Sequence, residues 1–204
     1  MELTVTAAPP PGMLADAAAR VDVIADRLGA AVPDDTGPVA RFAEYDVAPD
    51  EVSGLAGAMP FDMVVGTCNP LAPPLELWFD PPVARGRVVF TPTYEGAPGC
   101  VHGAALAAAF DIVLTAANVL AGAAGPTVEL TIRYRKPTLI GVESVFESEV
   151  TELTDRRTHS RGRLLQDGIV TVEAVGEFVN MERARIAGFH REQAGSPAAT
   201  GEPE

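Results

Sequence analysis

The stretch Tyr94–Gly122, read YEGAPGCVHGAALAAAFDIVLTAANVLAG, is too apolar to lie on a surface, so the rest of the chain has to cover a helix on all sides. Pro98 and Gly99 make a tight approach, Cys100, Val101 and His102 follow, and Gly103 opens a run rich in Ala and Leu. Within that run Asp111 is the only charge. On a helix it shares a face with Thr115 and Asn118, so a narrow polar stripe runs down a greasy rod. A carboxylate there is costly unless it is hydrogen-bonded or put to use. Two readings therefore stand: an acid bonded to those two neighbours, or an acid that works.

Around this rod the chain reads as strands. Leu75–Asp80 alternates, with Leu75, Leu77 and Phe79 on one face and Glu76, Trp78 and Asp80 on the other. Arg85–Thr93 is its hairpin partner beyond Pro81-Pro82. After a helix over Gly103–Leu120 come strands at Thr127–Arg135, Val142–Glu152, Arg157–Gln166 and Ile169–Met181, with Asp167-Gly168 as a hairpin turn between the last two. Two strands, one apolar helix and four strands predict an α+β fold: an antiparallel sheet of about six strands wrapped around one buried helix.

Upstream, Leu14, Ala18, Val21, Ile24 or Ala25, and Leu28 keep helical spacing before Gly29, which predicts one amphipathic helix docking on a larger body. Residues 1–12, with Pro9 to Pro11, should be loose, and residues 31–57 read as an irregular strap with at most short structure around 40–45. The organisation expected is an extension over 1–57, one domain over 58–182 and a polar tail over 183–204.

With 204 residues and 47% apolar content the chain can build a real core. Its net charge of −13 argues against a nucleic-acid partner, because phosphate neutralisation needs a basic face. Cys68 and Cys100 stand at no metal-ligand spacing, and no membrane span or secretory leader is read, so a cytoplasmic protein with reduced thiols and no metal is expected.

Gly99-Cys100-Val101-His102-Gly103, with Asp111 eight residues beyond the second glycine, resembles the helix-start signature of hotdog-fold acyl-CoA thioesterases of the PaaI-like group, in the 4-hydroxybenzoyl-CoA thioesterase superfamily. Pro126-Thr127-Val128-Glu129-Leu130-Thr131-Ile132-Arg133-Tyr134-Arg135-Lys136-Pro137 resembles the strand that follows the helix in that family, and the likeness spans roughly residues 75–181. It implies a hotdog fold, an acyl-CoA substrate and no cofactor, coenzyme A being part of the substrate. His102 would orient the thioester or the approach loop. Thr127, sixteen positions after the acid, would hold the attacking water or the carboxylate. Glu129 and Tyr134 match substrate-contact positions. The chain departs from the pattern at Glu95-Gly96-Ala97-Pro98, where some relatives carry Asn or Gln, and at Ala104, where they usually repeat the glycine.

Thioester hydrolysis needs a donor for the developing oxyanion and a carboxylate to attack the carbonyl carbon or to activate water. The backbone N–H groups of Gly103 and Ala104, at the positive end of the helix dipole, supply the donor, and a glycine lets a substrate come close. Asp111 supplies the carboxylate. Eight residues at about 1.5 Å each separate it from Gly103 by roughly 12 Å, whereas both groups must reach the same substrate. If they cooperate, Asp111 faces the Gly103 of a second chain across a two-fold axis. A homodimer with two sites follows, or a dimer of dimers (a homotetramer). For the phosphates of coenzyme A, Arg157, His159, Arg161 and Arg163 would share one strand face and Arg133 and Arg135 another, with Arg157 the favoured contact. The competing reading of these cations is ion pairing with Glu147, Glu149 and Glu173. Three other functions are open: a Cys100–His102 nucleophile, a hotdog hydratase or dehydratase, and an acyl-CoA-sensing domain without turnover.

Overall fold

A computed structural model describes residues 9–30, 53–123 and 125–180. The expectations for the extreme N-terminus, for the strap over 31–52 and for everything from Met181 onward lie outside the described residues. The chain divides into two compact units, residues 1–37 and 38–204. In the first, helix α1 (Pro11–Gly29) begins a few residues earlier than the apolar spacing marks, because proline is tolerated in a first turn that has no amide bonds to lose.

Among the described residues of the second unit the first element is α2 (Ser53–Ala58), which overlaps the end of the stretch read from the sequence as an irregular strap. Leu55 and Ala58 are buried, and Leu55 belongs to the core cluster, so the packed domain begins before residue 58. Six antiparallel strands follow: β1 (Glu76–Asp80), β2 (Val83–Val89), β3 (Thr127–Tyr134), β4 (Glu143–Leu153), β5 (Arg157–Gln166) and β6 (Ile169–Val179). They form one sheet in the order β1-β2-β4-β5-β6-β3, so β1 and β3 are the two edges. The β1–β2 turn runs through Pro81-Pro82. The β5–β6 turn has Asp167 and Gly168 both at positive φ, the conformation an Asp-Gly hairpin adopts most readily. β2 stops at Val89, short of the expected Thr93, because Pro92 cannot donate to a ladder and the chain turns into a short 3₁₀ segment at Pro92–Tyr94.

Helix α3 (Gly103–Leu120) lies across the inner face of this sheet. By length and composition it could cross a membrane, yet here Leu106, Phe110, Val113, Leu114 and Ala117 bury themselves against the strands. Phe110 meets Phe146 of β4 edge to face, with ring centroids 5.0 Å apart. The close approach depends on Gly162 of β5, where an added β-carbon would lie 3.3 Å from both Leu114 and Phe110. A sheet wrapped around a single central helix is the hotdog fold.

Candidate active site

The start of α3 is built by the loop before it. Glu95 accepts the Gly99 N–H on Oε1 (2.7 Å) while Gly99 turns at φ +73°, and His102 then caps the helix. Its Nδ1 accepts the Ala104 N–H at 3.0 Å. This corrects the expectation of two free amides, since only the Gly103 N–H has no acceptor among the described residues. Tyr134, at the end of β3, donates its hydroxyl to the Gly103 carbonyl at 2.8 Å. A β-carbon on residue 103 would stand 3.0 Å from that hydroxyl oxygen. Glycine at 103 leaves room for the Tyr134 hydroxyl, which occupies the space that the sequence reserves for substrate. A cavity of about 760 Å³ lies against this helix start, lined by Glu95, Cys100, His102, Gly103, Tyr134 and Lys136 among others.

Asp111 does not line that cavity. It is half-buried on α3 and accepts the Thr127 hydroxyl at 2.6 Å. Thr115 and Asn118 are not its partners. Asn118 is buried and accepts a hydrogen bond from Ser160 of β5, so the polar stripe splits between the sheet interior and the β3 edge. Strand alternation counted from Tyr134 would put Thr127 on the outer face with Glu129. A bulge intervenes: Thr127 pairs with Phe178 and Glu129 with Glu177, leaving Val128 as the extra residue. Phe178 is buried, so Thr127 shares its inward face and reaches the helix.

The structure thus brings together His102, Gly103, Ala104 and Tyr134 in one place and Asp111 with Thr127 in another. The remaining residues sit elsewhere. Glu129 is exposed on the outer face, where it accepts the Thr131 hydroxyl. The cations of β5 are engaged: Arg157 pairs with Glu177 (2.9 Å), Arg161 with Glu149 and Arg163 with Glu147 (2.7 Å). Arg135 pairs with Glu173 at 2.7 Å, although it also lines the cavity, while Arg133 is exposed and makes no ion pair among the described residues. The structure contains the ion pairs of the competing reading for Arg161, Arg163 and Arg135, and pairs Arg157 with Glu177, a partner outside that reading. Lys136, which the sequence had placed only just past a strand, lines the cavity and makes no ion pair among the described residues. Its neighbour Pro137 was the available signal, because a proline there takes the chain off the ladder and redirects the lysine. Cys100 also lines the cavity, but no hydrogen bond joins it to His102, whose Nδ1 is already committed. Among the described residues no group of three His, Cys, Asp or Glu could hold a metal ion.

Residues 98–173, from the approach loop into the first half of β6, match the family model of the thioesterase superfamily. The domain has the hotdog fold and is similar, over those residues, to the thioesterase superfamily. The crystal structure of thioesterase superfamily protein RHA08564 is similar over 88% of this chain and 84% of its own, with 27% identity and a TM-score of 0.75. The domain alone is similar to two others at a TM-score of 0.50. One is the Escherichia coli PaaI protein of the phenylacetic acid degradation operon, at 14% identity over 53% of this chain and 80% of that one. The second is smu.793 of Streptococcus mutans UA159, a structure bound to acetyl CoA, at 13% identity over 53% of this chain and 90% of that one. No curated protein matches.

Proposed function

We propose that this hotdog domain hydrolyses an acyl-CoA thioester to a free acid and coenzyme A, at sites shared between two copies of the chain. One observation carries the reading. Asp111 is a half-buried carboxylate whose partner is the Thr127 hydroxyl, with no cation to neutralise it among the described residues, and it lies away from the cavity where the Gly103 N–H is unengaged. An acid held in orientation without neutralisation is suited to act as base or nucleophile. The helix separation of roughly 12 Å supports a site in which the two groups come from different copies.

In the reaction the thioester carbonyl enters beside Gly103, whose N–H stabilises the developing oxyanion. Asp111 of the other copy takes the proton of an attacking water, with Thr127 fixing the carboxylate, or attacks the carbonyl carbon itself and is released by water in a second step. Collapse of the tetrahedral adduct breaks the C–S bond, and the departing thiolate takes up the proton held by Asp111 or, after direct attack, the proton released when water opens the mixed anhydride. Lys136 and Arg135 line the same cavity and suit the anionic groups of coenzyme A. Arg157 can join them by exchanging its Glu177 partner, and Arg133 and Glu129 lie on the same outward surface. The acetyl CoA bound to the Streptococcus mutans neighbour supports this class of ligand on this fold.

Thiol release from a panel of acyl-CoAs, run on wild type beside Asp111→Asn, is the test. Saturable binding without turnover would favour an acyl-CoA sensor, and full activity from a monomer would end the shared site. A hydratase is disfavoured because Asp111 stands a full two turns from His102 along α3.

A further inference from the structure

The beginning of α3 carries a hydrogen-bond chain that the chemistry above leaves unused. Tyr134 donates to the Gly103 carbonyl at 2.8 Å, and the N–H of that same peptide, which belongs to Ala104, donates to His102 Nδ1 at 3.0 Å. A peptide whose oxygen accepts a hydrogen bond becomes a stronger N–H donor, so the two bonds reinforce each other. To accept, Nδ1 must be unprotonated, and a neutral ring then carries its proton on Nε2. The histidine is also held from behind. Its own N–H donates to the Tyr94 carbonyl at 2.7 Å, and a β-carbon on Gly96 would come within 2.8 Å of its Cα and 3.1 Å of its Cδ2. His102 and Tyr134 both line the cavity.

We infer that Tyr134 is a positioning residue which clamps the Gly103–Ala104 peptide and thereby holds His102 as the Nε2–H tautomer. With the Ala104 N–H committed to Nδ1, the imidazole Nε2–H takes its place as the second donor beside the Gly103 N–H. The tautomer lock stands on geometry alone, while its effect on rate rests on the thioesterase reading. Tyr134 then acts on substrate through His102, and its hydroxyl faces the helix backbone.

Ring ¹⁵N shifts of the protein at a pH where the imidazole is neutral test the lock, with the His102 signals assigned by their loss in His102→Asn. Wild type should show an unprotonated Nδ1 and a protonated Nε2, and Tyr134→Phe should populate the opposite tautomer. Gly103→Ala is the second variant: its β-carbon displaces the phenol without removing it, and the tautomer population should move the same way. In acyl-CoA hydrolysis Tyr134→Phe should lower kcat by about 5- to 10-fold with KM held within about two-fold, the scale of one hydrogen bond. In a His102→Asn background the same substitution should change kcat by less than about two-fold, since residues acting through one another are not additive. A proton on Nδ1 in wild type, a tautomer indifferent to Tyr134→Phe, or additive rate effects would overturn the inference. A responsive ring in a protein that hydrolyses no acyl-CoA would keep the clamp and remove the thioesterase reading.

Discussion

Two carboxylates, each partly covered by the fold, have opposite surroundings. Glu147 sits mid-sheet on the outer face with 20% of its side chain exposed, between Arg163 and Arg85. Burial pushes its carboxyl up, but the hydrogen bonds from Arg163 and Arg85 outweigh that and hold it below the ordinary carboxylate value. Arg85 also pairs with Asp80, and the register continues from Arg163 to Glu173, which binds Arg135, so charges of alternating sign cross the sheet from edge to edge. Asp111, where α3 meets the β3 edge, has a hydroxyl and no cation among the described residues. A neutralised acid holds strands together, and an oriented but unneutralised one at an open edge is free to do chemistry.

Substitutions at the two acids should therefore separate rate from stability. The largest effect belongs to Asp111→Asn: acyl-CoA turnover falls by about 10² to 10⁴, the range for a lost base, while acyl-CoA binding and the thermal midpoint stay near wild type. Unfolding of that variant at ordinary temperature would show that Asp111 belongs with Glu147 after all. Next comes Glu147→Gln, which should leave turnover unchanged and cost about 1–3 kcal/mol of stability at neutral pH by leaving Arg163 without its partner and Arg85 with Asp80 alone. Because the folded-state carboxyl titrates below its usual 4.5, this contribution is complete above that value and disappears as the pH falls through the lower one. The gap between variant and wild-type denaturation midpoints should close on acidification, and a gap independent of pH would refute the assignment. Thr127→Val keeps the volume and removes the hydroxyl, so turnover should drop by about ten-fold with no loss of fold, read by steady-state kinetics. Smallest is Arg87→Gln, which breaks the pair with Glu76 on the exposed β1 edge and should move the thermal midpoint by no more than about 1 °C.

Most of the domain was legible because one helix had to be covered. The limits of α3, the hairpin at Asp167-Gly168 and the inward face of β1 follow from apolar period and turn chemistry alone. The burial of Leu55 was hidden in a stretch dominated by turn-forming residues, where six residues of helix leave little periodic trace. At the site, residue types carried further than directions. Gly103 was recognisable as special, but the reason for it stands thirty-one residues away in Tyr134, beyond the reach of local pattern. Ala104 looked free because a helix start leaves its amides unpaired, and only the folded loop turns the His102 ring back to take one. The β5 arginines looked like an anion face because a strand read by itself does not show the glutamates on its neighbours.

The bulge at Val128 has a bearing on any residue-by-residue transfer of roles between this chain and its relatives. It works as a phase shifter: Leu130 to Tyr134 stay locked to β6, while the position of the hydroxyl opposite Asp111 is set separately by one looped-out residue. A relative without that insertion would meet its acid with the neighbouring residue, and an alignment that ignored the offset would credit the wrong side chain.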